Sequence, residues 1–497
     1  MRNSRPPLRF RTVSALAILL ALPLPAATPQ PESDAALAAR IARVENGLLP
    51  AAQLTGAKNE PWTLSARMAF HRVPGVSIAV INHGAIEWTR SYGVMRAGEN
   101  TPVTPDTLFQ AASISKSVAA TAALQLVESG QLSLDGDVNA KLVTWKIPTA
   151  EVAGNEPVTL RKLLSHTAGL TVQGFEGYAS GAPLPTLGQI LDGVPPANSE
   201  PVRIDFKPGT KWRYSDGGYA VLQQLLVDVS GRGFLEWMHD RVLLPAGMTA
   251  STFAQPLPVT LASPAASGHD EQSQPIAGGS HVYPEMAASG LWSTPGDLAR
   301  FGLVLLRSYQ DGTGGLVSPA TAKVMLSGQE PNEKWSLGFN LHGEGDAFSF
   351  SQGGASAGFR SLLAVYPRTG RGVVVMTNSD NGVALTDEIL RALAHEYAWP
   401  DYQVVEKTAV PLAPMLFDAF VGRYERESTT ITFFRRGERF FMKPVGQPRA
   451  EIFALNDHEF FLLDRPEIYS FQRSAAGEIT HLIKRMSPPQ IFRRMVK

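Results

Sequence analysis

Three short stretches hold residue types that together could carry out acyl transfer. The first is Ser113-Ile114-Ser115-Lys116. Residues three apart share one helix face, so the Ser113 hydroxyl and the Lys116 amine can meet. The stretch opens an apolar run, Val118 to Leu124, that reads as a deeply buried helix from about Ser113 to Ser129. A helix N-terminus turns unpaired N–H groups and a positive dipole end toward a developing anion. A nucleophile, an adjacent amine and fixed donors are what acyl transfer requires. The second stretch is Tyr214-Ser215-Asp216, before a helix from Ala220 to Val229, which can offer a phenol and a polar side chain to a cleft. The third is Gln352-Gly353-Gly354-Ala355, before a strand from Phe359; its two glycines let a substrate lie along a strand edge.

Other residues compete for these roles. Gly354-Ala355-Ser356-Ala357-Gly358 matches a Gly-x-Ser-x-Gly nucleophile elbow, with Asp387 and His395 following in a permissible order. That elbow needs a strand before the serine and a helix after it. Here Phe359 to Tyr366 follows, which reads as a strand, so Ser356 is expected to be a loop serine. His166 is expected to be a satisfied structural histidine, Ser115 a hydrogen-bonding neighbour of Ser113, and Arg360 a structural arginine. Tyr283 could line the cleft or pack a loop.

The elements that must position these residues follow from periodicity. Asp34 to Leu49 reads as an amphipathic helix. Val76 to Ile81 and Ala85 to Trp88 read as a hairpin about Asn82-His83-Gly84. Helices joined by Pro/Gly loops run from about Gly130 to Leu306, with a helix start at Thr294-Pro295-Gly296-Asp297. Strands return at Ser336 to Phe339, Phe359 to Tyr366 and Gly372 to Thr377, and a helix runs from about Thr386 to Tyr397. The order predicts an α+β fold: an antiparallel sheet flanked by helices, with a helical insertion. Beyond a Pro-dense stretch, Pro400 to Pro414, six short β-like runs between Thr430 and Ile483 predict a small all-β domain, sandwich or barrel. Its aromatics Phe440, Phe441, Phe460 and Phe461 are expected in a core. The domains expected are a signal peptide at 1–27, an N-terminal helix and linker at 28–60, a catalytic domain at 61–400, a linker at 401–414 and the all-β domain at 415–497.

Composition narrows the chemistry. The 497 residues carry 45 Lys+Arg against 45 Asp+Glu, so a polyanion such as nucleic acid finds no basic excess. With no cysteine, thiolate metal sites, disulfides and a catalytic thiol are excluded. The 10 histidines show no metal-ligand spacing, so neither a metal nor a cofactor is expected. Arg2, Arg5, Arg9 and Arg11, then an apolar run from Val13 to Leu24, then Ala26 and Ala27, describe a secretory signal peptide. A periplasmic or secreted protein without a membrane span is expected.

Taken in order, the three stretches resemble the serine β-lactamase and penicillin-binding protein family. The nearest branch holds class C β-lactamases, D-Ala-D-Ala carboxypeptidases, D-aminopeptidases and related esterases. The resemblance covers about residues 60–400 and includes Leu163 to Leu170 and Ala288 to Pro295, similar to the family's framework segments. The C-terminal domain resembles the lipocalin-like appendage of some members. The family implies an acyl-enzyme on Ser113, with Lys116 and Tyr214 shuttling the proton. It implies an oxyanion hole from the N–H groups of Ser113 and Ala355, and substrate contacts at Asp216, Gln352, Gly353 and Gly354.

Two positions depart from the family pattern. Asp216 stands where the family's second motif usually ends in Asn, and adds negative charge that should hold Lys116 protonated and make Tyr214 the base. Gln352 stands where the third motif begins with Lys or His, and a neutral amide cannot ion-pair with a substrate carboxylate. The expectation is an exported serine hydrolase acting on an amide, ester or β-lactam carbonyl of a small or peptide substrate, peptidoglycan-derived ones included. The alternative is a penicillin sensor or peptidoglycan-binding protein without turnover.

Overall fold

The computed structural model describes residues 33–57, 60–427, 429–445, 449–486 and 489–495; the expected signal peptide lies outside them. Residues up to Ala42 form a unit of their own, and those from Arg43 on form a second. Most of the first unit's described chain is helix α1 (Asp34–Glu45), four residues shorter than its apolar spacing suggests.

The centre of the second unit is a six-stranded antiparallel sheet. Its strands are β1 (Gly75–Asn82), β2 (Ala85–Gly93), β3 (Asn340–His342), β4 (Ser349–Ser356), β5 (Phe359–Tyr366) and β6 (Arg371–Thr377), in the spatial order β2-β1-β6-β5-β4-β3. The first hairpin therefore pairs with the last strand, from Val76 opposite Thr377 to Ile81 opposite Gly372. Its turn needs two positive φ angles, which His83 (49°) and Gly84 (72°) supply.

Helix α2 (Leu64–His71) packs against α6 (Gly382–Tyr397), and α6 packs on β5 and β6. Helix α5 (Pro295–Gln310) covers the other face, where Gly302 lets it settle on Leu363, Val365 and Ile81. Helices α3 (Ile114–Glu128) and α4 (Asp216–Ser230) belong to the helical block and pack with the short helix Met286–Ser289. Every residue of α3 from Ile114 to Leu124 is buried, as its all-round apolar sequence requires.

Two expectations are corrected. Ser336 to Phe339 is a tight turn, not a strand: the Ser336 N–H donates to the Phe339 carbonyl at 2.8 Å, and Gly338 has φ 103°. Alternating Leu337 and Phe339 imitate a strand because the turn buries both. Helix α4 begins at Asp216 rather than Ala220, because the Ser215 hydroxyl caps it by accepting the Gly218 N–H at 3.0 Å.

The C-terminal strands close into an eight-stranded up-and-down barrel: β7 (Gly422–Arg426), β8 (Thr429–Arg436), β9 (Arg439–Pro444), β10 (Ala450–Ala454), β11 (Glu459–Phe461), β12 (Ile468–Arg473), β13 (Ile479–Arg485) and β14 (Gln490–Arg494). Strand β7 pairs with β14 to seal it. Tyr424, Phe433, Met442, Phe460, Phe471 and Leu482 form a buried cluster, the side-chain filling that eight strands enclose. Phe440 joins this core, whereas Phe441 stacks outside it on Phe434. The sequence pattern misses β7 and β14 because both are rich in arginine.

Candidate active site

Between Thr107 and Leu124, Ser113 alone is not buried. It caps α3, after Ala112, whose φ of 47° is unusual for a residue with a side chain. That kink directs the chain from the Phe109-Gln110 bridge straight into the helix and leaves the serine at its mouth. Ser115, expected as a neighbour, donates its hydroxyl to the Ala112 carbonyl at 2.6 Å and accepts the Leu291 N–H at 3.0 Å. It is a brace for the kink.

Lys116 is fully buried, and its ammonium has three partners: Ser113 Oγ at 2.9 Å, the Ala288 carbonyl at 2.8 Å and Asp216 Oδ1 at 2.8 Å. The first two contacts are hydrogen bonds and the third is an ion pair. Burial alone would lower the lysine, but Asp216 and Tyr214 outweigh it and raise it above its ordinary value. The Tyr214 ring centroid lies 5.0 Å from Lys116 Nζ.

Tyr214 is held by aromatic neighbours. His166 stacks on it at 4.2 Å between centroids, and Trp335 meets it edge-on at 5.7 Å. His166 Nδ1 accepts the Ser215 N–H at 3.0 Å. Burial, then the charge of Lys116, drive this histidine well below its usual range, so it is neutral. It packs on Tyr214 and holds the motif's backbone, but its buried Nε2 has no hydrogen-bond partner among the described residues, so the expectation of a satisfied histidine is met at one ring nitrogen only.

The third stretch lies on β4. Its side against α3 is tightly packed: a Cβ on Gly354 would fall 2.1 Å from the Ala111 carbonyl oxygen, whereas one on Gly353 would meet nothing nearer than 3.9 Å. Gly354 is thus required by the chain's own helix start. Strand β3 pairs with β4 only from Ser349 to Ser351. From Gln352 to Ser356 the outer edge has no strand neighbour among the described residues. The hairpin turn is Ala357-Gly358, so Ser356 with Phe359 and Gly354 with Ser361 are bonded pairs. Alternation then turns the N–H of Gly353 and Ala355 to the open edge. Gln352 is only 2% exposed, and its Nε2 reaches the Ser113 carbonyl at 3.4 Å; the side chain lies beneath the serine.

A family model described as Beta-lactamase matches residues 63–396. The chain belongs to the beta-lactamase family. It is 29% identical to penicillin-binding protein 4 of Amycolatopsis lactamdurans over 374 residues, 72% of this chain and 94% of that protein. It is 33% identical to esterase EstB of Burkholderia gladioli over 215 residues, 41% of this chain and 53% of that protein. In fold it is similar to the octameric penicillin-binding protein homologue from Pyrococcus abyssi, with TM-score 0.57 and 21% identity, covering 87% of this chain and 97% of that one.

In this member of the beta-lactamase family the rival residues have other employment. Ser356 sits in a strand–turn–strand, not a strand–turn–helix, and donates to Gln110 Oε1 at 2.9 Å. Asp387 and His395 lie on α6. Arg360 pairs with Asp380 at 2.9 Å and donates to the Ser356 and Phe359 carbonyls. The Tyr283 hydroxyl accepts the Ala357 N–H at 3.2 Å, which ties down the β4–β5 turn.

Sequence reasoning missed Trp335 and Glu285. Glu285 is fully buried beside the Lys116 site, and neither carboxyl oxygen has a hydrogen-bond partner. Burial, then the charge of Asp216, push it up to about 7. The available signal was one acid opening an otherwise small and apolar segment, Met286 to Gly290.

Proposed function

We propose that this chain is an exported serine hydrolase that forms an acyl-enzyme on Ser113 and prefers neutral ester or amide substrates. The observation that supports the mechanism is the buried Lys116 ammonium, which ion-pairs with Asp216 at 2.8 Å and donates to Ser113 Oγ at 2.9 Å. A lysine that Asp216 holds protonated donates to the serine oxygen and cannot also take its proton. Tyr214, in the phenolate form, receives that proton as Ser113 Oγ attacks the carbonyl carbon. Lys116 stabilises the negative charge that develops nearby. The N–H groups of Ser113 and Ala355 hold the oxyanion. Collapse expels the alcohol or amine, which takes the proton back from Tyr214, and water then hydrolyses the acyl-serine by the same relay.

The substrate preference rests on charge. Gln352 is neutral, and Arg360 is engaged by Asp380 and two carbonyls. Neither offers a free cation to a substrate carboxylate. The unpaired edge of β4 can pair with an extended substrate as an added strand would. Export rests on the basic, apolar and small-residue pattern of residues 1–27.

The test is hydrolysis of p-nitrophenyl acetate beside mass-spectrometric labelling with a penicillin. Wild type should turn over the ester, and Ser113→Ala should lose both turnover and label while Ser356→Ala keeps them. Stoichiometric label without ester turnover would identify a penicillin sensor instead.

A further inference from the structure

A cavity of about 670 Å³, within the size range of small-molecule sites, lies between the catalytic part of the chain and the barrel. None of the residues lining it belongs to the Ser113 site. Helix α6 supplies one wall with Asp387 and Arg391, a helical turn apart on one face, together with Trp62 and Phe70. The barrel supplies the other. Ile452 and Ala454 of β10 point into its core, so alternation turns Phe453 out to the cavity, and residues 464–467 complete the wall. The N-terminal segment ties both walls together. Arg391 Nε donates to the Leu49 carbonyl at 2.8 Å, and the Ala52 N–H donates to the Leu463 carbonyl of the barrel at 2.8 Å. Turned to Leu49, Arg391 makes no ion pair with Asp387, which has neither a hydrogen bond nor an ion pair among the described residues. Glu467, from the facing wall, pairs through Oε1 with Lys484 at 3.0 Å and leaves a buried Oε2 without a partner. The cavity's other cations do not supply what is missing. Arg67 is held by Glu388 and Arg465 by Asp464, while Arg72 and Arg449 are exposed.

We propose that this cavity is a second ligand site and that it takes a short peptide with free termini. The ammonium sits between Asp387 and Glu467 Oε2. The carboxylate meets the terminal nitrogens of Arg391, which have no partner among the described residues. A pure anion would face two carboxylates, and a pure cation would face a half-buried guanidinium. A zwitterion satisfies all three groups at once, with charge-assisted hydrogen bonds in a partly dry space. Trp62, Phe70 and Phe453 offer apolar surface to its side chains. Because the N-terminal segment already holds the walls together, binding demands little further ordering of the protein. The inference does not depend on which serine is the nucleophile.

The test is isothermal titration calorimetry of the full chain carrying Ser113→Ala, with mass spectrometry to check that the peptide stays intact. The probe is the dipeptide Ala-Phe, beside its N-acetyl and C-amide forms. The free dipeptide should bind one to one with Kd below about 1 mM. Blocking either end should weaken binding roughly tenfold, through the loss of one charge-assisted contact. Asp387→Asn should weaken it by the same factor; the aspartate has no partner to lose, so this variant should fold as the parent does. Arg391→Gln, checked for folding by circular dichroism, should weaken it as well. Binding that either folded variant leaves unchanged would put the peptide elsewhere. Weakening by only one of the two blocked ends would reduce the ligand to a simple cation or anion. Either result overturns the proposal, as does the absence of binding at about 10 mM.

Discussion

Asp216 Oδ1 lies 2.8 Å from Lys116 Nζ, in an ion pair with the lysine fully buried and the aspartate side chain 6% exposed. The family's usual Asn at this position would leave the lysine its hydrogen bonds but no counter-charge. The carboxylate raises Lys116 above its ordinary value, and on the proposed mechanism it leaves the role of base to Tyr214.

Asp216→Asn should therefore destabilise the protein in a pH-dependent way. The wild-type lysine is raised, so the stability that its pairing contributes is complete below its ordinary value of 10.5 and is lost as pH rises through the higher folded value. Burial raises Asp216 as well, which offsets part of the pairing, but its loss leaves the buried lysine unmatched and costs up to about 3 kcal/mol. Urea denaturation at pH 7 should show that loss, and the gap to wild type should narrow at more alkaline pH. An equal gap at both would remove the ion pair from the account.

Lys116→Ala and Tyr214→Phe should each reduce kcat on an unactivated ester by about 10²–10⁴-fold, the usual contribution of acid–base catalysis. In the proposed relay the two residues act as a unit, so the double variant should be little worse than the poorer single one. Losses that multiply would mean independent roles.

Gly354→Ala should be far more harmful than Gly353→Ala. The first places a methyl 2.1 Å from a backbone oxygen at the start of α3, so β4 must move away from Ser113. Its kcat should fall by more than about 10²-fold, the penalty that a displacement of about 1 Å can exact. Gly353→Ala, with open space above it, should keep most of its activity. Equal behaviour would show that the strand is not pinned against the helix.

Gln352→Lys should shift preference toward carboxylate substrates. Hydrogen bonds to charged groups contribute roughly 1.5–3 kcal/mol against about 0.5–1.5 for neutral ones. The ratio of kcat/KM for nitrocefin to that for p-nitrophenyl acetate should rise roughly tenfold. A wild type already efficient on nitrocefin, with a ratio unmoved by the change, would point to another cation for the carboxylate.

The sequence alone determined the parts whose logic is local. Ser113 and Lys116 are three residues apart on one helix, so any fold that keeps the helix keeps the pair. The hairpin at His83-Gly84, the capped start of α5 and six of the eight barrel strands follow from turn residues and periodicity for the same reason. Asp216 was legible too, because replacing an amide with a carboxylate beside a lysine has one electrostatic sense. The tertiary structure decided what depends on distant segments meeting. It showed that Lys116 also donates to the Ala288 carbonyl and ion-pairs with Asp216, that Gly354 is demanded by the Ala111 carbonyl, and that Gln352 lies beneath Ser113. It exposed the turn hidden in the strand-like pattern of Ser336 to Phe339, since alternation reports only that Leu337 and Phe339 are buried, and not whether a ladder or a turn buries them. Glu285 was invisible for a similar reason. A lone acid in a sequence looks solvated, and only the packing of α4 against its turn reveals a carboxyl with no partner beside the Lys116–Asp216 pair.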